Sequence, residues 1–421
     1  MISQKIDNQA IGQIRQLVEA DYTYLFDLFC QYNMNPELGM DTFQTAKRQA
    51  DELRVAGYEV TEGVAGTGVV GILKNGEGPT IMFRGDMDAL PVKDERGEVW
   101  ASRIEGRGHQ CGHSMHSANL IGIARNMARL TDKWHGTAVF VCQPGEEFQN
   151  GSQRMIDDGL FTRFPKPDCC LAYHVSPTLP SGTVGIVKGR TLALVQMLDI
   201  KVKGVGGHGG YPVTAVDAIV LAAAIIMRLQ TIVSREINPF EPAVVSVCMI
   251  KGGENHNVLP SEVDLKLTVR AFSYEVYDKI LKAIRRICDS EAAASGMPEE
   301  MYPVISERPF FTKPLVNDPD LMTKIETTFS RFLGNENVRQ EPPYTFGEDF
   351  ASYGLGGQIP IALTWLGSVN PSKFDETGKP IDFLPPLHHP QFNPYPPTTI
   401  RTGVVAMTAA MIDLFNAKKL N

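Results

Sequence analysis

The order of predicted strands and helices changes twice along the chain, which limits the folds available to it. Up to residue 191, short apolar strands such as Thr80–Arg84 and Thr137–Gln143 alternate with helices such as Ala118–Leu130, as in a mostly parallel α/β sheet. Residues 192–308 instead follow a β-α-β-β-α-β order, that of a ferredoxin-like unit, with its two helices predicted at Val213–Val233 and Tyr274–Ala294. The α/β alternation then resumes. The sequence therefore predicts an α/β domain, 1–191 and 309–421, with an α+β domain, 192–308, inserted into it.

Length, charge and cysteine content argue against several classes of protein. The 421 residues exceed one ordinary domain. The net charge of −8, without a basic stripe, argues against nucleic acid as a partner. The apolar run Val213–Leu229 contains Asp217 and falls short of a membrane span, so no membrane partner is expected. The seven cysteines and the absence of a leader-like start predict reduced thiols and a cytoplasmic location.

Between Gly108 and Ala118 the chain reads G-H-Q-C-G-H-S-M-H-S-A. Four potential metal donors fall within eight residues: His109, Cys111, His113 and His116. Thiolate and imidazole bind Zn²⁺, Mn²⁺ or Co²⁺. A closed structural zinc site often uses C-x₂-C pairs, and the chain has none. Taken alone, the run is as consistent with a buried cysteine among unrelated histidines as with a catalytic metal site, and the rest of the chain must decide between them.

Three further motifs add donors to this run. Glu146 and Glu147 follow a buried strand, where ligands bind in open α/β sheets, so one can bind metal while the other acts as a general base. His174 ends the apolar strand C-C-L-A-Y-H. The complete set suits two ions better than one open tetrahedral zinc. It consists of Cys111, His113, Glu147, His174 and one of His388 or His389.

The predicted inserted domain carries its own polar groups. His208 lies among glycines in G-V-G-G-H-G-G-Y-P, so its backbone can approach a substrate and its ring can act on an oxyanion or carboxylate. Asn257 can supply a further donor, and the fork of Arg270 can bind a carboxylate. The alternatives are a flexible hairpin for His208 and a surface position for Arg270. In G-E-D-F, Glu348 and Asp349 are expected to orient a ligand histidine.

The order of these motifs resembles one enzyme family. R-G-D-M-D-A-L-P, C-G-H-S-M-H, Q-P-G-E-E, Y-H-V, G-G-H-G-G-Y-P, N-V-L-P, G-E-D-F and L-H-H-P-Q-F follow the order found in metal-dependent amidohydrolases of peptidase family M20, subfamily D. These include hippurate hydrolases, N-acyl-amino-acid amidohydrolases and auxin-conjugate hydrolases. The resemblance implies a zinc-peptidase-like catalytic domain with an inserted lid and dimerisation domain. It also implies two divalent ions, Zn, Mn, Co or Ni, as cofactors.

The resemblance assigns roles to individual residues. It makes Glu146 the general base. His208 matches the histidine that, in family dimers, reaches the partner's active site and polarises the scissile carbonyl. Asn257 and Arg270, which are singled out by their residue types and not by the resemblance, are the expected substrate-binding residues. His388 is preferred to His389 because the family pattern reads L-H-x-P-x-F. The implied ligands are Cys111 as the bridge, His113, Glu147, His174 and His388.

Several positions depart from the usual family pattern without removing a ligand or the base: Gly85, Gln110, Ser114, Gly145 and Gly209–Gly210. Ser114 stands where an aspartate could orient a ligand.

The implied function is hydrolysis of the amide bond of N-acyl amino acids by a homodimer, with an acetyl, benzoyl or similar acyl group. The products are a carboxylic acid and a free amino acid. One alternative is a dipeptidase or carboxypeptidase on the same scaffold, and another is a non-catalytic sensor of an amino-acid derivative. A serine or cysteine hydrolase is disfavoured because no G-x-S-x-G elbow occurs.

Overall fold

The computed structural model describes residues 8–147 and 150–417. They form two compact units. The first comprises the described residues up to Gly189, Val316–Pro342 and the described residues from Asp349 onward. The second comprises Arg190–Leu315 and Pro343–Glu348. The sequence-based domain boundaries, 191/192 and 308/309, stay a prediction.

Helices and strands alternate through most of the described chain. The α-helices are α1 (Asn8–Met34), α2 (Phe43–Val55), α3 (His113–Arg129), α4 (Gly151–Asp157), α5 (Leu160–Arg163), α6 (Ala218–Thr231), α7 (Tyr274–Ala294), α8 (Pro319–Leu333) and α9 (Pro396–Phe415). The strands are β1 (Glu59–Val64), β2 (Gly68–Asn75), β3 (Thr80–Asp86), β4 (Gly136–Gln143), β5 (Cys169–Pro180), β6 (Val184–Ile186), β7 (Gly189–Leu192), β8 (Leu194–Lys203), β9 (Gly207–His208), β10 (Ala243–Lys251), β11 (Val258–Leu259), β12 (Glu262–Ala271), β13 (Val304–Thr312), β14 (Leu315–Asn317), β15 (Val338–Gln340) and β16 (Ile361–Val369).

The first unit is built on an eight-stranded sheet in the order β1-β2-β4-β3-β5-β16-β6-β15. Its central strands β4, β3, β5 and β16 are parallel, and β1 and β2 extend one side in antiparallel pairs. β4 is buried along nearly its whole length, as expected for a central strand covered on both faces. The predicted mostly parallel α/β sheet is confirmed. Because β3 and β4 are parallel neighbours, their carboxyl ends lie at the same edge of the sheet, and the loops that follow them lie side by side.

Helix α3 begins at His113, five residues before the predicted start at Ala118. Gly112, just before it, has φ 86°, a backbone conformation that favours glycine. A Cβ at Gly112 would lie 2.4 Å from Val175 Cγ2, so a side chain there would also clash. The tight glycine turn therefore places His113 at the helix N-terminus instead of in a loop.

The second unit contains an antiparallel sheet in the order β10-β12-β8-β13, and α6 and α7 share its apolar core. This arrangement has the predicted β-α-β-β-α-β order. α6 starts later than the predicted residue 213 because the Asp217 carboxylate caps it, accepting hydrogen bonds from the backbone N–H groups of Ile219 and Val220.

The apolar character of α6 was underestimated from the sequence. By length and composition alone, the helical segment Ala218–Glu236 is apolar enough to cross a membrane, whereas the run Val213–Leu229 was expected to fall short of a span. α9 meets the same criteria and is 83% buried, as a core helix is. Only 33% of the α6 segment is buried, however, and Val220 and Met227 are 63% and 71% exposed. α6 thus has a second apolar face beyond the one that covers its own sheet.

Candidate metal centre

The five side chains predicted as ligands lie in the first unit and form two overlapping groups. We call Cys111, His113 and His174 group A, and Cys111, Glu147 and His388 group B. Within each group the possible ligand atoms lie within 4.8 Å of one another. Cys111 Sγ lies 3.4 Å from His174 Nε2, and His388 Nε2 lies 3.4 Å from the Glu147 carboxylate. Cys111 is the one predicted ligand that belongs to both groups, so it could contribute to either.

The remaining histidines of the two motifs are placed differently. His116 Nδ1 lies 2.5 Å from Asp86 Oδ1, and its Nε2 accepts a hydrogen bond from the Val175 N–H. Although His116 also lies near His113, both of its ring nitrogens are thus engaged. His109 is buried, and neither of its ring nitrogens has a hydrogen-bond partner. Among the described residues, His389 belongs to no possible donor group.

His174 lies inside β5, not at its end as the sequence predicted, because β5 continues to Pro180. The ladder between β3 and β5 ends at the pair Arg84–Ala172. His174 therefore lies just past the point where β5 loses its neighbour on that side. The end of the ladder, and not the end of the strand, leaves His174 without a paired residue in β3.

Asp88 connects two parts of the centre and was not predicted as a site residue. Its two carboxylate oxygens accept hydrogen bonds from the backbone N–H groups of Glu146 and Glu147, at 3.0 and 3.1 Å. Its backbone oxygen lies 2.8 Å from His113 Nδ1. Asp88 thus connects the Glu146–Glu147 turn to His113, one of the predicted ligands. The D-M-D motif after β3 was the only sequence signal for this role.

Asp349 was expected to orient a ligand histidine, but the described hydrogen bonds of its carboxylate connect it to other groups. Its carboxylate accepts hydrogen bonds from Arg84 Nη2 at 3.0 Å, from Gln143 Nε2 and from the Ser152 N–H. The buried Arg84 guanidinium needs carboxylates around it, and Asp349 is one of them. The predicted ligands His113 and His174 instead contact backbone oxygens. His174 Nδ1 lies 2.8 Å from the backbone oxygen of Val175. Glu348, the other expected orienting residue, falls in the second unit.

Burial and negative charge give this centre the electrostatics of a cation site. Burial alone would lower the pKa of His113, but the surrounding carboxylates, Asp86 foremost, raise it to about 10. Burial raises the pKa of Glu147 to about 8 and that of the Cys111 thiol well above its usual range. Burial lowers the pKa of His174, which favours the neutral ring that binds metals.

Two buried atoms test whether these residues fit a metal. His113 Nε2 and Glu147 Oε1 are shielded from solvent and have no hydrogen-bond partner. Unpaired buried polar atoms are costly, and a bound cation would satisfy both. A set of thiolate, imidazole and carboxylate donors suits borderline divalent ions. The donor set therefore fits two divalent metal ions.

Metal binding should release protons at pH 7, because thiolate, neutral imidazole and carboxylate are the binding forms. The raised pKa values of Cys111, His113 and Glu147 favour the protonated forms of these groups when no ion is bound. Since protons compete with the metal, affinity should rise as the pH rises from 6 toward 9. Titration calorimetry in buffers of different ionisation enthalpy measures the release. A binding heat independent of the buffer would contradict this assignment of protons.

The residues predicted in the inserted domain all lie in the second unit. His208 and Asn257 are close neighbours, since the Gly209 N–H donates to the Asn257 carbonyl oxygen at 2.8 Å. Both side chains are exposed. Arg270 is half-buried and donates to the Thr345 carbonyl oxygen at 3.1 Å, so part of its fork is already used within the unit.

The chain is similar to known proteins in sequence and in fold. A model of peptidase family M20/M25/M40 matches residues 82–380. An N-acetylcysteine deacetylase of Bacillus subtilis is 32% identical over 83% of this chain and 90% of its own length. A hippurate hydrolase of Campylobacter jejuni is 37% identical over 63% of this chain and 69% of its own. The solved YXEP protein of Bacillus subtilis, described as a dinuclear metal-binding peptidase of family M20, has a TM-score of 0.76 and 26% identity, covering 94% of this chain and 99% of that one.

Proposed function

The chain belongs to peptidase family M20 and is a metal-dependent amidohydrolase, and on that premise we propose that it hydrolyses N-acyl amino acids to a carboxylic acid and a free amino acid. Two relatives are named for amides of this kind, a deacetylase of N-acetylcysteine and a hippurate hydrolase. One observation carries the proposal. The Glu146 carboxylate lies beside the donor groups, 3.9 Å from His113 Nε2, where a general base is needed.

The proposed reaction is a proton relay at Glu146. Bound divalent ions would acidify a water molecule and polarise the substrate carbonyl. Glu146 accepts a proton from the attacking water and passes it to the leaving nitrogen, so one carboxylate serves both steps. Its position is stable because Asp88 holds the Glu146 backbone N–H. The physiological ion is proposed to be Zn²⁺, Mn²⁺, Co²⁺ or Ni²⁺.

His208 is proposed to stabilise the oxyanion in the active site of a partner subunit. Its Nδ1 accepts a hydrogen bond from the Gly210 N–H at 3.0 Å. In the neutral ring, Nε2 therefore carries the proton and can donate it in a hydrogen bond to the carbonyl oxygen. The ring is exposed and free to meet another molecule.

Dimerisation through the second unit is proposed on the basis of two neighbouring features. The outer face of α6 is apolar and exposed, with Val220 and Met227 on it. β10 lies at the edge of its sheet, and among the described strands only β12 pairs with it in that sheet. Exposed apolar faces and open edges favour association, and a second copy offers the matching surface by symmetry.

Replacing His208 with alanine should lower kcat by about 10²–10³-fold, the usual effect of losing one oxyanion donor. Metal content and dimer size should not change. If His208 acts across subunits, mixing His208→Ala with Glu146→Gln and allowing exchange should restore about a quarter of the wild-type activity, because half of the dimers regain one complete site. Two variants that stay inactive after proven exchange would rule out the cross-subunit role.

A turnover screen tests the proposed function. The protein is stripped with a chelator, reloaded separately with each of the four ions, and assayed on N-acetyl and N-benzoyl amino acids and on dipeptides. Turnover of the acyl amino acids above the dipeptides supports the proposal, and the reverse order identifies a dipeptidase. Metal-loaded protein that is inert on every amide, but binds one, would identify a sensor.

A further inference from the structure

The ligand His388 has a backbone conformation that residues with side chains rarely adopt. Its φ is 69°, in the left-handed region where the Cβ crowds the backbone. It lies in a loop without helix or strand. Such a conformation persists only where surrounding contacts determine it. The neighbours of His388 therefore decide where its ring lies.

Gln110 contacts this loop at two points around His388. The His388 N–H donates to the Gln110 carbonyl oxygen at 2.8 Å, and Gln110 Nε2 donates to the Pro390 carbonyl oxygen at 2.5 Å. Gln110 is fully buried and directly precedes Cys111, which shares group B with His388. One residue thus ties the loop of one ligand to the chain beside another.

The amide of Gln110 is oriented by a buried arginine. The Arg96 side chain is 0% exposed, and its Nη2 donates to Gln110 Oε1. Because a guanidinium has only donors, the amide oxygen must face Arg96 and the NH₂ group must face Pro390. Arg96 is held in turn by Asp94, whose Oδ1 accepts from Nε at 2.8 Å. The ion pair therefore fixes the direction of the bond to the loop.

Ser114 belongs to the same network. Its Oγ donates to Asn33 Oδ1 at 2.9 Å, and Arg96 Nη1 donates to the same oxygen at 3.2 Å. Two positions at which this chain departs from the usual family pattern, Gln110 and Ser114, thus both connect to Arg96. An alanine at position 110 would keep the backbone bond to His388 and lose both side-chain bonds.

We propose that Gln110, oriented by Arg96, is a positioning residue that holds His388 at the metal centre. It thereby sets the affinity of the ion held by group B and leaves the ion held by group A unaffected. This inference rests on the metal centre of the proposed function and is independent of its substrate.

The test titrates Co²⁺ into the metal-free full-length protein and follows heat and cobalt–thiolate absorption. Gln110→Met keeps most of the side-chain volume and removes the amide. The wild type should bind two ions. The variant should bind the first with unchanged affinity and the second about 10–100-fold more weakly, as found for residues that orient metal ligands. Gln391→Ala, which alters an exposed glutamine beside the same loop, is the control and should change neither affinity.

A double-variant comparison separates positioning of His388 from a general structural effect. In a His388→Ala background, Gln110→Met should cause no further loss of Co²⁺ affinity, because the ligand it positions is gone. Equal weakening of both ions, unchanged binding, or a further loss in the double variant would overturn the inference. Gln110→Ala supports the same comparisons if the methionine variant does not fold. Failure of amide turnover with the expected Co²⁺ pattern would refute the proposed function alone.

Discussion

Glu146→Gln is expected to lower kcat by about 10²–10⁴-fold while both divalent ions stay bound. Glutamine keeps the size and polarity of the side chain and cannot accept the proton of the attacking water. The turn should keep its shape, because Asp88 binds the backbone N–H of Glu146 and not its side chain. Turnover of an N-acyl amino acid, together with metal content by mass spectrometry, measures both parts of this prediction.

The matched control for this prediction is Glu105→Gln, which makes the same chemical change at an exposed position of the first unit. It should retain wild-type kcat. Near-wild-type turnover by Glu146→Gln would remove Glu146 as the general base. Loss of a metal ion together with activity would instead identify Glu146 as a ligand.

Arg84→Met should destabilise the protein by about 3–5 kcal/mol at pH 7, since removing one partner of a buried ion network leaves charges uncompensated. Arg84 is 1% exposed and donates to Asp86 at 2.7 Å, to Asp349 at 3.0 Å and to Gln143 at 2.8 Å. Burial opposes ionisation of Asp86, and Arg84 is the foremost of the cationic groups that nevertheless hold its pKa well below the usual range. Urea unfolding of the metal-free protein measures the loss.

The pH dependence of this loss has a definite sign. A carboxyl group with a depressed pKa contributes stability above its unfolded pKa and loses it as the pH falls. Without Arg84, the largest of the causes that lower the pKa of Asp86 is lost, so its carboxyl group should take up a proton at a higher pH than in the wild type, and protonation then relieves the uncompensated charge. The difference in the free energy of unfolding between the wild type and Arg84→Met should therefore become smaller as the pH falls from 7 toward 4.

Arg163→Met is the control for Arg84→Met. Arg163 pairs with Asp158 at 2.9 Å, but both side chains are almost half exposed. Its loss should cost about 0–1 kcal/mol. An equal loss of unfolding free energy in Arg84→Met and Arg163→Met would show that the Arg84 network does not stabilise the fold.

Long elements with a regular pattern could be predicted from the sequence alone. α7 has the predicted bounds, and β4 was recognisable as a continuous apolar run. β6 and β15 were missed because three residues carry no measurable periodicity. The start of α3 was missed because it depends on a glycine turn packed against Val175, distant in sequence.

The same distinction holds within the site. Cys111 and Glu147 could be selected as candidate donors because each lies in a short motif of unusual composition, and the structure brings both into group B. Gln110 and Arg84 could not, because their partners lie up to 280 residues away along the chain. Their roles depend on tertiary hydrogen bonds, and a glutamine or arginine in a loop or strand has no local signature for these.

The strand order of the large sheet has a consequence for the chain as it leaves the ribosome. β16 pairs with both β5 and β6, yet most of the second unit, Arg190–Leu315, is synthesised before it. During that interval the apolar edge of β5 lacks its neighbour, and His388 has not been made. A nascent chain therefore passes through a stage at which an open strand edge can recruit another chain, and chaperone binding should be most needed then.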